Sequence, residues 1–349
     1  MTAAIQATAE PETPAAQDQS RPRRGRHPLL RYALRRVAAA VVILLVLSVL
    51  VFLACSVLPG NAASAILGKQ ASGVALAHLE REMGLNRPIA YQYWTWLTGL
   101  VHGNLGNSAA GYAAGGQISV WSQISGKLAN SAILATAAFV PIVAVSLMLG
   151  VGAALRAGRW VDHLISVTTL VPAALPEFVL GALLVGLFFG SLHLLPPVSL
   201  IPPGGSPLDT PSLLVLPVLT LVGVCVGPAA RMIRAGMLDA LEADCVAVAR
   251  LNGIAERRVV IRYALRNALA PSVQVVAMIA QYLIGGLLIV EYMFGYPGIG
   301  QQLVNAISIH DNLEVQSVSM LLAAIYVGIN IVADLVVMTL VPKLRTGGA

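Results

Sequence analysis

Apolar runs, most of them charge-free, alternate with polar segments along the chain, and the run lengths set its elements. Val37–Pro59 is the first run, 23 residues without a charge. At about 1.5 Å per helical residue it crosses a hydrocarbon core of about 30 Å. Leu128–Leu155 follows, with Pro141 placed to kink it. Leu164–Leu192 is third, interrupted by Pro172 and Pro176. Pro211–Ala230, Ala268–Val290 and Val315–Leu340 complete the set. The pattern predicts an all-α polytopic membrane protein with six transmembrane helices.

The segments between the runs differ in kind. Residues 1–28 lack apolar periodicity and read as a disordered tail, ahead of a membrane domain over 29–349. The tail carries Arg21, Arg23, Arg24 and Arg26, followed by Arg31, Arg35 and Arg36. The Arg23-Arg24 pair is set aside as an export signal because the apolar run after it is too long for a signal peptide. Cys55, in Phe52-Leu53-Ala54-Cys55, reads as a cysteine inside a membrane helix rather than a lipoprotein cleavage box. Over 60–127, Leu76, Leu79 and Met83 keep helical spacing up to a stop at Gly84. The aromatic density from Tyr91 to Trp96 suits the membrane–water interface, as an interfacial helix or a substrate contact.

The polar stretch from Asp239 to Pro271 predicts a helix over Ala240–Leu251 and a stop at Asn252-Gly253. A second helix starts at about Glu256 and runs into span five. The first of these helices offers apolar Val246, Val248, Ala249 and Leu251, which need a partner in lipid or protein. Arg258, Arg262 and Arg266 recur every four residues on one face and suit anionic headgroups.

Composition agrees with the pattern. Hydrophobic residues make up 57% and charged residues 11%, with a mean hydropathy of +0.78; soluble domains carry about 25% charged residues. The net charge is +6, but the basic residues cluster beside apolar runs, which excludes nucleic acid as the partner. With both termini inside, 18 of the 22 Lys and Arg fall on inner segments. The positive-inside rule then places both termini and the 239–271 stretch in the cytoplasm. Cys55, Cys225 and Cys245 lack metal-ligand spacing and read as free thiols; His163, His193 and His310 are dispersed, so no metal site is expected. There is no HExxH, GxSxG or GxxxxGK[ST]. The chain is therefore not expected to be an enzyme, and an ATPase driving transport would be another chain.

Two acids lie inside the apolar runs. Asp334 sits seven residues before Val341, about 10 Å from the inner helix end, where an acid near the membrane centre costs about 2.5–3.5 kcal/mol. Asn330 and Asp334 are four residues apart and face one way, toward a neighbouring helix or a water-filled cavity. Glu177, after Pro176, either lines a path, where it attracts a cation such as a peptide amino terminus, or bonds to a neighbour. Over 291–314, Pro297, Gly298 and Gly300 fold the chain back. His310, Asp311 and Glu314 are expected to form a polar rim there, in a gate, a dock or a plain re-entrant loop.

Several runs carry a family resemblance. Asp244-Cys245-Val246-Ala247-Val248-Ala249-Arg250-Leu251-Asn252-Gly253, ending in Leu265-Arg266-Asn267-Ala268-Leu269-Ala270-Pro271, resembles the cytoplasmic coupling loop of binding-protein-dependent ABC importer permeases. The likeness is greatest to their dipeptide/oligopeptide/nickel branch. Arg35-Arg36, Leu58-Pro59-Gly60, Gly84-Leu85-Asn86-Arg87-Pro88-Ile89 with Gln92-Tyr93, Gly103-Asn104-Leu105-Gly106 and Ser108 fit the same branch. So does the ExxFxxPGxG run from Glu291 through Phe294, Pro297 and Gly298 to Gly300, and the Asn330/Asp334 pair. Ala247 and Val341 depart from the family pattern, at a polar loop position and at an Asp before the terminal Pro.

The resemblance implies a type I ABC importer permease fold in a bacterial inner membrane. Asp244, Val246, Ala249, Arg250 and Gly253 would belong to a coupling loop over 239–267 that docks on an ATPase subunit. Glu177, Glu291, Phe294, Pro297, Gly298, Asn330 and Asp334 are the path or gate candidates. Implied partners are a second, homologous permease subunit forming a heterodimer, two ABC ATPases, an extracytoplasmic binding protein or lipoprotein, and membrane lipid. ATP and Mg would sit on the ATPases, with no cofactor in this chain. The implied cargo is di- or oligopeptides, with nickel chelates, glutathione or haem as alternatives. An ion-coupled secondary carrier is the competing class, for which Glu177 and Asp334 are the qualifying acids.

Overall fold

A computed structural model describes residues 28–57, 63, 73–82, 84–108, 111, 116–202 and 204–340. The tail expected over 1–28 (bar its last residue), Leu58-Pro59-Gly60, Lys69, Met83, Val341, Lys343 and Arg345 lie outside them, as do the side chains of Leu76 and Leu79.

The helices in order are α1 Pro28–Val57, α2 Gly73–Glu82, α3 Ile89–Val101, α4 Val120–Leu155, α5 Trp160–Ala173 and α6 Glu177–Val185. Then come α7 Ser212–Leu241, α8 Asp244–Leu251, α9 Glu256–Val259, α10 Leu265–Phe294, α11 Ile299–Ser308 and α12 Asn312–Leu340. π-helical turns close α6 (Gly186–Ser191) and link α9 to α10 (Val260–Ala264). α1, α4, α7, α10 and α12 are each long and apolar enough to cross a membrane.

The third span differs from its sequence reading. α5 and α6 meet at 100°, so Leu164–Leu192 is a sharply broken pair. Pro172 and Pro176 are the cause: Pro removes a backbone donor and clashes with the preceding turn. By contrast α4 runs as one helix through Pro141, and α7 through Pro217 and Pro228. α4 also starts earlier than expected, at Val120, which takes Lys127 into the helix. Span four does not end at Ala230 but runs to Leu241.

α7 is the hub of the bundle. In its most apolar window 61% of residues are buried, against 17% for α1 and 11% for α12. Leu221, Ala229 and Ile233 of α7 pack with Leu134, Ala138 and Ile142 of α4 and with Ile279, Leu283 and Val290 of α10. α1 and α12 pair with each other at the edge, and the aliphatic side chains exposed along α1 suit lipid or another subunit.

A second cluster caps the end of the bundle that carries the basic residues. Met237 and Ala240 of α7, Val246 and Ala249 of α8, Val259, Ala264 and Ala268 close on one another there. At the opposite end Leu105, Val120, Ile124, Ile299 and Val318 form a third cluster.

Candidate functional site

The α8–α9 elbow is made by a glycine. Gly253 has φ +72, and its N–H donates to the Arg250 carbonyl at 2.9 Å while Ile254 N–H reaches Ala249 O at 3.2 Å. This closes α8 and turns the chain into α9, as the Asn-Gly stop predicted. The predicted start of the first helix was misplaced: Ala240 belongs to α7, and the chain breaks at Glu242-Ala243 before α8 begins. Arg250 Nη2 and Nε then donate to Glu256 Oε1 and Oε2 at 2.6 and 3.1 Å. This two-point ion pair spans the elbow. The hydrogen-bonding guanidinium holds the Glu256 carboxyl below the usual carboxylate range. Asn267 Nδ2 donates to Cys245 Sγ at 3.1 Å, tying α8 to α10.

The apolar face of α8 divides in two. Val246 is 0% and Ala249 3% exposed, packed against the ends of α7 and α10. Val248 is 55% and Leu251 87% exposed. This corrects the expectation that all four offer themselves to a partner: Val246 and Ala249 seat the elbow, and Val248 and Leu251 remain outward. Asp244, Arg250, Arg258, Arg262 and Arg266 are exposed around them.

At the opposite end Glu291 organises the 291–312 loop from inside. Its Oε1 accepts from Ser131 Oγ at 2.6 Å, its Oε2 accepts from Gly300 N–H at 2.7 Å, and Ser131 Oγ accepts from Ile299 N–H at 2.8 Å. A Cβ at Gly298 would overlap this carboxylate, and one at Gly300 would lie 2.6 Å from Leu288 Cα. The glycines of the ExxFxxPGxG run are therefore needed so that backbone can cross a buried carboxylate. Tyr296 OH donates to Asn130 O at 2.7 Å, and Asn130 Nδ2 donates to Pro297 O at 3.0 Å. Burial pushes the Tyr296 phenol up.

Glu291 and Phe294 are buried within the subunit, where they hold the loop. The expected polar rim is likewise corrected, because Asp311 and Glu314 are both wholly buried. Ser108 Oγ donates to Asp311 Oδ2 at 2.6 Å, Gln302 Nε2 donates to Glu314 Oε1 at 2.6 Å, and Lys127 Nζ donates to Gln302 Oε1. His310 ends α11 in the left-handed region at φ +56.

Between these ends lies a cavity of about 670 Å³, walled by α1, α10, α12 and the start of α6. Glu177, Asn330 and Asp334 all line it, so the fold gathers three of the path candidates and leaves Glu291, Phe294, Pro297 and Gly298 elsewhere. Arg36 Nη1 and Asp334 Oδ2 are 2.9 Å apart, and Tyr282 OH donates to Glu177 Oε1 at 2.5 Å. Asn330 Nδ2 donates to Tyr326 O of its own helix at 2.9 Å. Each intramembrane acid thus both bonds to a neighbouring helix and borders the cavity. Sequence reasoning missed Gln281 and Tyr282, which complete the lining. The need of an intramembrane carboxylate for a donor was the one available signal, and it did not say which helix supplies it.

Comparison with known proteins gives two family matches. "Binding-protein-dependent transport system inner membrane component" covers residues 146–346, and "Binding-prot-dependent transport system membrane comp, N-term" covers 29–134. The glutathione transport system permease protein GsiC of Salmonella paratyphi A (strain ATCC 9150 / SARB42) is 30% identical over 317 residues, 91% of this chain and 99% of that protein. GsiC of Escherichia coli (strain K12) is 30% identical, and that of Salmonella choleraesuis (strain SC-B67) 29%, over the same shares.

Proposed function

This chain belongs to the binding-protein-dependent transport system inner membrane component family, the non-catalytic permease subunits of ABC transporters, and from that premise we propose that it forms one half of the translocation path of an ATP-driven importer of small peptides of the glutathione type. It is a multi-pass protein of the bacterial inner membrane. The second half of the path comes from a homologous permease subunit. Two ABC ATPases, which hold ATP and Mg, dock on the two elbows, and an extracytoplasmic binding protein or lipoprotein delivers cargo.

One observation carries the coupling reading: an elbow whose inner face is locked to α7 and α10 while Leu251 and Val248 stand outward. A partner that moves α8 moves the two central helices with it, because Val246 and Ala249 leave no slack between them. That is the mechanical requirement for turning ATPase closure into alternating access.

The cargo reading rests on the GsiC relatives and on the cavity. Glu177 offers a carboxylate to a protonated amine, Arg36 a guanidinium to a carboxylate, and Gln281 and Asn330 offer amide partners. Such a lining suits a zwitterionic or anionic small peptide. The ExxFxxPGxG run does not enter the cargo reading, since its polar groups are taken up by Ser131, Asn130 and one another.

The test is uptake of labelled glutathione by the assembled four-subunit complex in proteoliposomes, with Gly-Leu as the competing cargo. Leu251→Asp is expected to lower ATP-dependent uptake at least about tenfold while changing stability by no more than a surface substitution does, about 0.5 kcal/mol, read as a parent-like melting temperature. Unchanged uptake in that variant would remove the docking role of this face. Preference for Gly-Leu would move the cargo reading to ordinary dipeptides.

A further inference from the structure

Apart from the path-lining cavity and the elbow, a groove of about 410 Å³ opens between α4, α5 and α7. Its lining sets charged and apolar side chains side by side: Arg231 and Arg234 of α7, Asp162 and His163 of α5, and Leu149, Ile165 and Leu170. Arg234 meets Asp162 and Gly227 meets Thr169 across the α5–α7 crossing. That register sets Arg231 level with Ile165 and Ser166 and leaves Leu170 deeper in the membrane zone.

The charges at the polar end do not cancel. Asp162 is buried and fully engaged: Arg234 Nε and Nη2 donate to its two oxygens at 2.7 Å each, and Gly158 N–H donates to Oδ2 at 3.0 Å. That pair is a fixed, neutral floor. Arg231, one helical turn from Arg234 and exposed, has no acidic partner among the described residues. The Ser166 hydroxyl, also on the lining, has no hydrogen-bond partner among them either. One surplus guanidinium and one free hydroxyl beside an apolar wall match a single phosphodiester of a lipid. A guanidinium suits phosphate oxygens, and basic pockets between helices on the cytoplasmic side recruit anionic headgroups.

We infer that the α4–α5–α7 groove binds one anionic phospholipid of the cytoplasmic leaflet, its phosphate on Arg231 and Ser166 and the start of one acyl chain running past Ile165 toward Leu170. A zwitterionic headgroup such as phosphocholine brings no net negative charge to the surplus guanidinium and is held less tightly than an anionic one. The lipid would wedge α5 against α7 at the crossing where Gly227 approaches Thr169 so closely that a Cβ would strike the Thr169 carbonyl.

The test uses the assembled complex and phosphatidylglycerol as the probe, read by native mass spectrometry. Wild type is expected to retain one tightly held phosphatidylglycerol per copy of this chain and to lose it against phosphatidylcholine. Arg231→Gln is expected to weaken retention roughly fivefold, the effect of one basic residue at a membrane surface. Val167→Trp, which fills the deep end from an exposed position on the lining, is expected to expel the lipid with the Asp162–Arg234 pair left in place, and serves if Arg231→Gln does not assemble. Equal retention in both variants, equal retention of phosphatidylcholine, or release by inorganic phosphate alone would each overturn the lipid site. So would a photo-crosslinker at position 167 that captures protein in place of lipid, since the groove is then a subunit interface.

Discussion

Gly253 stands at φ +72 with no atom within 4 Å of where a Cβ would lie. Within this chain the space is therefore open, and only the backbone sign forbids a side chain. The left-handed region costs an ordinary residue about 1–2 kcal/mol and a β-branched one more, whereas Asn visits it readily. Gly253→Val is therefore expected to disorder the elbow and abolish ATP-dependent uptake, with hydrogen-exchange protection of α8 lost. Gly253→Asn is expected to keep both. If Asn retains protection yet blocks uptake, the crowding comes from the docked ATPase and not from the backbone. The stop itself was legible, because Asn-Gly after an apolar-periodic run has one common meaning. The split of Val246 and Ala249 from Val248 and Leu251 was not. All four are small or aliphatic on one short helix, and which edge faces α7 depends on the break at Glu242-Ala243, for which those residues give no turn signal.

The 291–312 element shows how a motif that looks functional is structural at root. A carboxylate wholly inside the protein needs donors on both oxygens, since an unmet buried charge costs several kcal/mol. Glu291 finds them in Ser131 and Gly300. Glu291→Gln keeps the shape but turns one acceptor into an N–H₂ that faces a donor. It is expected to lower stability by about 2 kcal/mol, the cost of an unsatisfied buried group, and to lower the melting temperature of the detergent-solubilised complex. Gly298→Ala is expected to do the same by displacing the carboxylate. Parent-like melting in both would mean that the loop holds without its clamp. Chain-level reading found the spans, because apolar runs of about 20 residues have few other uses. It placed Asp311 and Glu314 on a rim because acids between spans usually meet water. Their burial depends on Ser108, Lys127 and Gln302, which approach from three other segments, and no local pattern encodes that meeting. The prolines announced the break between α5 and α6 but could not give its 100°.

At the scale of the whole molecule, α1 and α12 close only one side of the cavity, and the charges on its wall are each tied to a neighbouring helix: Glu177 to Tyr282, Asp334 to Arg36. A charge already bonded can hold the wall together, recognise cargo, or do both, and an isosteric change separates these roles. Glu177→Gln retains an oxygen that accepts from the Tyr282 hydroxyl, so the α6–α10 link survives while the negative charge disappears. If the carboxylate receives a cargo amine, the variant loses a charge-assisted bond of about 1.5 kcal/mol, and KM for glutathione uptake rises roughly tenfold with the maximal rate kept. A des-amino analogue of glutathione would show no such change, because it never used the charge. If Glu177 serves only the wall, the two cargoes respond alike and the KM for glutathione stays at its parent value. That the same atom shift is predicted to matter for one cargo and not for the other is what distinguishes a recognition charge from a structural one, and it does so without asking whether the second permease subunit supplies further contacts across the path.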